Sequence, residues 1–357
     1  MISQKEINEV AAGYDKKNIV VCTVGSHSAL QILRGAKDEG FKTLLVCLKK
    51  NVDFYKSWGL VDEFIIVDSY KDVLSEKVQA ELRKRNAVLV PHGSFVEYVG
   101  AKNILESLRV PMFGNRHVLY WESDRKKQFE WFRKSGLRIP KEYKSGKDID
   151  SLVMVKFPGA KGGRGYFLAK NPREYAKKMK EADVPESAKK ASVIQEYIVG
   201  TRFYPHFFYS ALNDKLELLG MDIRYESNID GLARIPAVEQ IGIELDPSYV
   251  VMGNTPVVMR ESLLPALMKQ ANDLVSKSKE LFKPGMTGPF CLEMVVKEDM
   301  EFVYFEVSAR IVAGTNLCVQ GSAYSQLLYD EPMSTGRRIC REIKTAVKNN
   351  KLDDVLY

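Results

Sequence analysis

The chain has 357 residues, 45% of them hydrophobic and 28% charged, enough to bury the cores of two or three packed domains. Its net charge is +7, from 53 Lys and Arg against 46 Asp and Glu, and the basic residues are spread along the chain. No basic block interleaved with aromatics is present, which argues against a nucleic-acid partner and suits an anionic small substrate.

The five cysteines, Cys22, Cys47, Cys291, Cys318 and Cys340, form no CxxC pair, which fits reduced thiols in a cytoplasmic protein. No apolar run approaches the roughly 18 residues of a membrane span. The start, MISQKEINEV, lacks the apolar core of a secretory leader, so none is expected.

Lys17 to Cys47 reads as a βαβ unit. A buried strand at 18–23 leads through the tight turn Gly25-Ser26-His27-Ser28 into a helix at 29–39, stopped by Gly40. Further strands are expected at 43–48, 64–67 and 87–90, a helix at 75–85, and a short strand at 110–114. Strands alternating with helices imply a parallel, doubly wound sheet, whose ligands sit at the carboxyl ends of strands. Two such ends carry GSHS (25–28) and PHGS (91–94). Each offers small residues, a hydroxyl and an imidazole before a helix start, whose free N–H groups favour an anion. A phosphate or ribose held there is one reading. Plain N-capping by Ser26, Ser28 and Ser94 is the other. The pairing of two such loops on one sheet edge favours the ligand.

A single charged linking helix is expected at 122–135, with a first domain boundary near Ser123. Beyond Ser151 the pattern changes to long strands and hairpins. Leu152 to Val155 is apolar, yet Lys156 follows where a buried strand should stay apolar. Pro158 to Gly165 then packs four glycines and two cations before the strand resumes at Tyr166. Glycines let backbone N–H groups approach an anion, and lysines supply point charge. The stretch, with Lys156, Lys161, Gly162, Gly163 and Gly165, suits a mobile flap over polyphosphate. A basic surface hairpin is the alternative. No Gly-Lys-Ser/Thr follows, so it is not a Walker A loop. Helices are expected at 172–181, 261–281 and 334–348, and strands at 192–200, 203–210, 216–222, 288–296 and 302–308.

The last two strands flank a turn at Asp299-Met300. An unbroken hairpin there sets Glu293 opposite Glu306, Val295 opposite Tyr304, and Val296 opposite Val303. Like charges opposed across a sheet destabilise it. The pair therefore asks for a cation, and oxygen ligands with open water positions suit Mg²⁺ and bound phosphate. Two glutamates on a wet face are the alternative. The four histidines are scattered, which argues against zinc. Arg310 and Asn316 follow closely enough to reach the same metal and phosphates. An Arg there fits stabilisation of charge on a transferring phosphoryl group.

A lysine strand, a Gly-rich basic flap, a strand ending Gln195-Glu196-Tyr197-Ile198, and a Glu…Glu…Asn set occur in that order. This resembles the ATP-grasp superfamily, in which ATP lies between two α+β subdomains. The resemblance implies an α/β and α+β ATP-grasp fold with an N-terminal doubly wound parallel-sheet domain at 1–123. The ATP-grasp domain would span 124–357, with a lid at about 151–200 and a central subdomain at about 201–357. It implies Lys156 on the nucleotide phosphates and the flap from Lys161 to Gly165 as a lid. Gln195, Glu196 and Ile198 would be the hinge reading adenine, and Glu293, Glu306 and Asn316 the ligands of Mg²⁺ or Mn²⁺.

The segments GSHSALQILRGAKDEGF, VPHGSF, PMFGNR, VKFPGAKGGRGYF, RYESNIDGLARIPA, GNTPVVMRESLLP, GPFCLE and FEVSARIVAGTN narrow this further. They are similar, in order from about Asn18 to the C-terminus, to the archaeal formate-dependent 5-formaminoimidazole-4-carboxamide ribonucleotide synthetase family. That resemblance implies ATP-dependent formylation of aminoimidazole carboxamide ribonucleotide through formyl phosphate, in purine biosynthesis, by a homo-oligomer. It places His27 and Ser94 on the ribonucleotide, Asn254 near it, and Glu226 near ATP. Arg234 is assigned to a substrate phosphate on charge and position, and Arg310 and His27 are the expected catalytic residues. RYESNID and GNTP are also rich in turn formers, so structural Asx-turns are an alternative there. Two other functions remain open: a paralogous ATP-grasp ligase using another acid and amine, and a nucleotide-binding protein without turnover.

Overall fold

The computed structural model describes residues 1–158, 165–241, 243, 248 and 250–357. Four strands, β1 (Val20–Val24), β2 (Lys42–Leu48), β3 (Glu63–Val67) and β4 (Ala87–Leu89), form a parallel sheet in the order β3-β2-β1-β4. Parallel strands need crossover connections: the helix Ala29–Asp38 links β1 to its neighbour β2, and the helix Glu76–Lys84 carries the chain from β3 to β4 at the opposite edge. β1 is buried at every position, as the apolar run Val20 to Val24 requires. An additional helix, Gln4–Ala12, grows from the polar start: Ser3 and Glu6 form a capping box, and Ile7 and Ala11 turn inward.

Near residue 115 one expectation fails and one helix is added. The segment 110–114 makes only isolated bridges, Met112 to Leu89 and Phe113 to Leu356. The expected linking helix runs Arg125–Lys134, and a further helix, Arg116–Glu122, precedes it. Asp124 breaks the run, because its backbone is extended and its carboxylate accepts from the N–H groups of Lys126 and Lys127. A short acidic side chain does better capping a new helix than continuing an old one.

The second sheet is antiparallel, in the order β5-β8-β6-β7, from β5 (Glu142–Tyr143), β6 (Val153–Lys156), β7 (Tyr166–Ala169) and β8 (Val193–Glu196). β6 and β7 are the arms of the expected flap. Gly165 enters β7 with φ +75°, a left-handed value that suits glycine. The expected phosphate residues Lys161, Gly162 and Gly163 lie outside the described residues. β8 stops at Glu196, so Ile198 follows the strand rather than lying in it.

The third sheet, β11-β10-β9-β12-β13, is antiparallel throughout and comprises β9 (Thr201–Ser210), β10 (Lys215–Glu226), β11 (Val251–Pro256), β12 (Gly288–Val296) and β13 (Phe302–Ser308). Successive residues point to opposite faces. One face, with Phe207, Phe290, Leu292 and Met294, packs against Trp131, Phe132 and Leu274 of the helices Arg125–Lys134 and Leu264–Leu281. By register, the other face carries Tyr204 and His206, Asp222 and Arg224, Cys291 and Glu293, and Glu306.

The hairpin β12–β13 corrects the expected register. Glu293 does face Glu306, but Met294 pairs with Tyr304, Val295 with Val303 and Val296 with Phe302. Phe305 is the extra residue of a β-bulge on β13. An unbroken ladder would put Tyr304 on the same face as Glu306. The bulge leaves Glu306 on the polar face and turns Tyr304 into the core, 6.1 Å from the Phe132 ring.

The chain then returns to the first sheet. The helix Thr335–Lys348 lies on the helix Ala29–Asp38, and Gly35 and Gly336 allow the two backbones to touch. A Cβ on Gly35 would stand 2.2 Å from the Arg337 nitrogen, and one on Gly336 would stand 2.3 Å from the Gln31 oxygen. Arg337, Arg341 and Lys344 all pair with the buried Glu39 at the end of the earlier helix. All five cysteines are buried and unpaired, and among the described residues no helix is long and apolar enough to cross a membrane.

Candidate active site

The GSHS and PHGS turns meet at the carboxyl edge of the parallel sheet. The N–H of Ser94 donates to His27 Nε2 at 3.0 Å, which leaves the ring proton on Nδ1, facing Ser28 Oγ at 3.1 Å. Ser28 stands at the N-cap of the helix Ala29–Asp38 with a left-handed φ of 66°, and its side chain makes no cap hydrogen bond. The cap of the helix Gly93–Val99 is His92, whose Nδ1 accepts from the N–H of Phe95. Its Nε2–H donates to the Val24 carbonyl at 3.0 Å. Ser28 and Ser94 therefore do not cap as the simpler reading expected; the two imidazoles tie the loops together instead, with ring centroids 5.0 Å apart. Burial, reinforced by the nearby Arg310 charge, pushes His27 down to about 4. Burial and the neighbouring His27 push His92 down to about 3. Both rings are neutral at pH 7 and offer hydrogen bonds rather than charge. A Cβ on Gly93 would lie 2.9 Å from His27 Nε2 and 3.1 Å from Arg310 Cζ, so a side chain there would push one of them aside where the loops converge.

Arg310 joins this edge to the polar face of the third sheet. Its Nη2 stands 3.1 Å from the buried Glu122, whose other oxygen accepts the Ala309 N–H at 2.8 Å. Burial raises the Glu122 pKa, and Arg310 opposes the rise. Arg310 Nε is buried with no hydrogen-bond partner among the described residues. Glu306 feels Arg310, Arg125 and Glu293 together. Its carboxyl is pushed up to about 7, first by burial and then by the opposed Glu293. Glu293 is itself held by both nitrogens of Arg224 at 3.0 Å, and that guanidinium lies 3.6 Å above the Tyr204 ring.

The second sheet faces the same gap. Lys156 Nζ donates to Gln195 Oε1 at 3.0 Å, and burial, aided by Arg125, pushes the lysine down to about 8. Glu306 opposes that shift, so the lid lysine and the glutamate pair share one electrostatic neighbourhood. Glu196 turns its carboxylate to the Lys141 N–H at 3.0 Å. Glu226 pairs with Arg202 at 2.6 Å, and burial raises its pKa. Asn316 accepts from Gln31 at 3.2 Å, and Asn254 donates to Asp222 at 2.6 Å. Arg234 is exposed in the segment between β10 and β11. A cleft of about 1270 Å³ runs along the parallel-sheet edge, lined by His27, Ser28, Gln31, Tyr70, Tyr98 and Asn316 among others.

The structure thus brings together His27, Ser94 and Arg310 at one edge, and Lys156, Gln195, Glu293 and Glu306 across one gap. Arg224, Arg125, Glu122 and Gln31 escaped the sequence reading. For Arg224 a signal existed: Asp222 and Arg224 alternate along a strand and so share a face. The glutamate pair fits a divalent cation, because the repulsion that raises the Glu306 pKa vanishes when a cation lies between the two. Each Glu293 oxygen held by Arg224 keeps a second lone pair for it. Among the described residues no cluster of three or more His, Cys, Asp and Glu forms a complete cage. The remaining positions of such a cation would fall to phosphate, amide oxygen and water.

A parallel sheet feeding a lid sheet and a charged antiparallel face, with a lysine and paired glutamates across the gap, defines an ATP-grasp protein. Comparisons with known proteins carry this further. Residues 172–357 match the family described as "Domain of unknown function (DUF1297)", and residues 21–143 match "Protein of unknown function (DUF1246)". The chain is 51% identical, over 99% of each protein, to the 5-formaminoimidazole-4-carboxamide-1-(beta)-D-ribofuranosyl 5'-monophosphate synthetase of Methanosphaera stadtmanae. The crystal structure of the IMP biosynthesis protein PurP from Thermococcus kodakaraensis is 32% identical. It superposes with a TM-score of 0.75 over 94% of this chain and 100% of that one. The ADP complex of the N5-carboxyaminoimidazole ribonucleotide synthetase purK shares the fold at 12% identity, with a TM-score of 0.64 over 92% of this chain and 77% of that one. The chain belongs to the archaeal 5-formaminoimidazole-4-carboxamide ribonucleotide synthetase family of the ATP-grasp superfamily.

Proposed function

We propose that this chain joins formate to the 5-amino group of aminoimidazole carboxamide ribonucleotide, driven by ATP, in purine biosynthesis. The meeting at Arg310 carries the reading. This guanidinium stands between a neutral hydrogen-bonding edge, His27 and Ser94, and a charged face, Glu293 and Glu306, with Lys156 beside it. A ribonucleotide on the edge and nucleotide phosphates on the face then share one wall, as a phosphoryl transfer followed by amine attack demands.

A formate oxygen attacks the γ-phosphorus of ATP, ADP leaves, and formyl phosphate forms. The amine nitrogen attacks the formyl carbon, the carbon–oxygen bond to phosphate breaks, and the nitrogen's proton leaves with the phosphate. Arg310 and Lys156 stabilise charge on the transferring phosphoryl group. Polyphosphate beside Lys156 would offset the burial that disfavours its charge. The amine is deactivated by its ring, so its placement by His27, Ser94 and Asn254 matters more than a strong base. Gln195, Glu196 and Ile198 are assigned to adenine, Glu226 to the ATP side and Arg234 to a substrate phosphate. Lys161, Gly162, Gly163 and Gly165 are assigned to the phosphates on their composition. Mg²⁺ or Mn²⁺ held by Glu293, Glu306 and Asn316 would neutralise phosphate charge. In this reading residues 1–123 form the ribonucleotide-edge domain and residues 124–357 the ATP-grasp domain.

The test is ADP formation with ATP, Mg²⁺, formate and the ribonucleotide, each omitted in turn. ADP that requires both formate and ribonucleotide, with formylated product, is the expected result. ADP formation indifferent to both overturns the assignment and points to another acid and amine.

A further inference from the structure

Behind Asn254 lies a polar pair that the phosphate chemistry does not use. Asp222 on β10 and His206 on β9 are both buried, at 0% and 2% exposure, on the polar face of the third sheet. Asp222 Oδ1 faces His206 Nε2 at 2.7 Å, and Oδ2 accepts from Asn254 Nδ2 at 2.6 Å. His206 Nδ1 has no hydrogen-bond partner among the described residues. Facing an oxygen that accepts, Nε2 carries a proton and donates it to the carboxylate. Asp222 is also fixed from its other side. A Cβ on Gly314 would stand 2.4 Å from Oδ1, so the turn Ala313–Cys318 closes directly onto the carboxylate. That same turn holds Asn316, which lines the cleft with His27.

An ionised carboxylate only accepts hydrogen bonds. The group Asn254 turns toward Asp222 must therefore be its NH₂, and the carbonyl Oδ1 is left to face outward. We propose that Asp222 and His206 are positioning residues that hold Asn254 in this orientation, so that Oδ1 accepts an N–H of the ribonucleotide base. The inference rests on the proposed function and deepens it. It makes Asn254 a determinant of substrate class, selecting a base that offers an amine or carboxamide donor over one that offers only acceptors. A freely rotating amide would not discriminate, because it could present either end.

The test is a swap. In Asp222→Asn the new amide gives its oxygen to His206 and its NH₂ to Asn254, which turns the Asn254 amide around, and the KM for the ribonucleotide should rise by about tenfold or more while the KM for ATP stays put. Asn254→Asp sets two carboxylates against each other and should be worse. The double variant, Asn254→Asp with Asp222→Asn, restores the pattern with the two groups exchanged. The amide now on β10 accepts from His206 through its oxygen and donates to the carboxylate now on β11, whose second oxygen faces the substrate. Its ribonucleotide KM should return toward the wild-type value. A wild-type KM in folded Asp222→Asn, or a double variant no better than the worse single one, overturns the proposal while leaving the proposed reaction intact. A wild-type protein whose ADP release ignores the ribonucleotide overturns both. Should the Asp222 variants fail to fold, His206→Gln, which keeps a donor, is compared with His206→Leu, which does not. Only the leucine variant should raise the ribonucleotide KM, and equal values in the two overturn the proposal.

Discussion

The strands of the parallel sheet β3-β2-β1-β4 carry little polar chemistry; what there is sits in the loops at their carboxyl ends, whereas the five-stranded antiparallel sheet carries chemistry across a whole face. Helices cover the parallel sheet, so β1 is buried at every residue and polar groups are pushed to the turns that follow β1 and β4. The antiparallel sheet packs one face on Trp131, Phe132 and Leu274 and turns alternate residues, many of them polar, to the other. The electrostatics follow the architecture. The edge presents imidazoles kept neutral by burial, with His27 near 4 and His92 near 3. The face presents Arg224, Glu293 and Glu306. An edge of neutral donors and acceptors suits a base or ribose, and a face of opposed charges suits metal and phosphate. Arg310 is placed against both.

The contrast can be broken most severely at the face. Glu306→Gln should lower turnover by about a hundredfold or more, since phosphate charge would go unneutralised. Circular dichroism should show an unchanged fold, because the glutamine keeps the shape and removes a repulsion. Undiminished Mg²⁺-dependent ADP release would sink the metal reading. At the edge the expected effect is smaller and confined to one substrate. His27→Ala removes the acceptor of the Ser94 N–H. It should raise the ribonucleotide KM by about tenfold while ATP affinity holds. A loss of ATP affinity alone would assign the edge to the nucleotide.

The mildest test uses pH. Glu306 in the folded chain titrates near 7, above its ordinary value of 4.5, so the folded state holds this proton more tightly than the unfolded one. The stability this contributes is complete below the ordinary value and is lost as pH rises through 7. In metal-free protein Tm should fall by a few degrees from mildly acid to mildly alkaline pH. Added Mg²⁺ should raise Tm more on the alkaline side, because the cation binds only once the proton has left. Glu306→Gln should flatten both trends. A metal-free Tm that rises over that interval would show that Glu306 is not the carboxyl the face keeps protonated.

The helix Pro172–Glu181 and the strands Gly288–Val296 and Phe302–Ser308 were legible with their boundaries, because Pro, Gly and turn residues punctuate clear periodicities. The helix Arg116–Glu122 and the start of the next one at Arg125 were not, since the Asp124 cap shows only in its geometry. Capping by His92 was equally hidden, because hydroxyls and carboxylates are the usual caps and an imidazole reaches the same N–H only in this turn.

Residue order determined the alternating βα pattern, the lysine beside a glycine-rich stretch, and two glutamates facing across a hairpin, since these follow from local spacing and strand alternation. Tertiary structure alone decided the rest. The bulge at Phe305 sends Tyr304 inward, and Arg224 grips Glu293 from another strand. Asp222 sets the sense of the Asn254 amide, and Arg310 bridges an edge and a face built from distant segments. Each depends on which strands become neighbours, and burial, not chemical identity, then sets what those side chains can do.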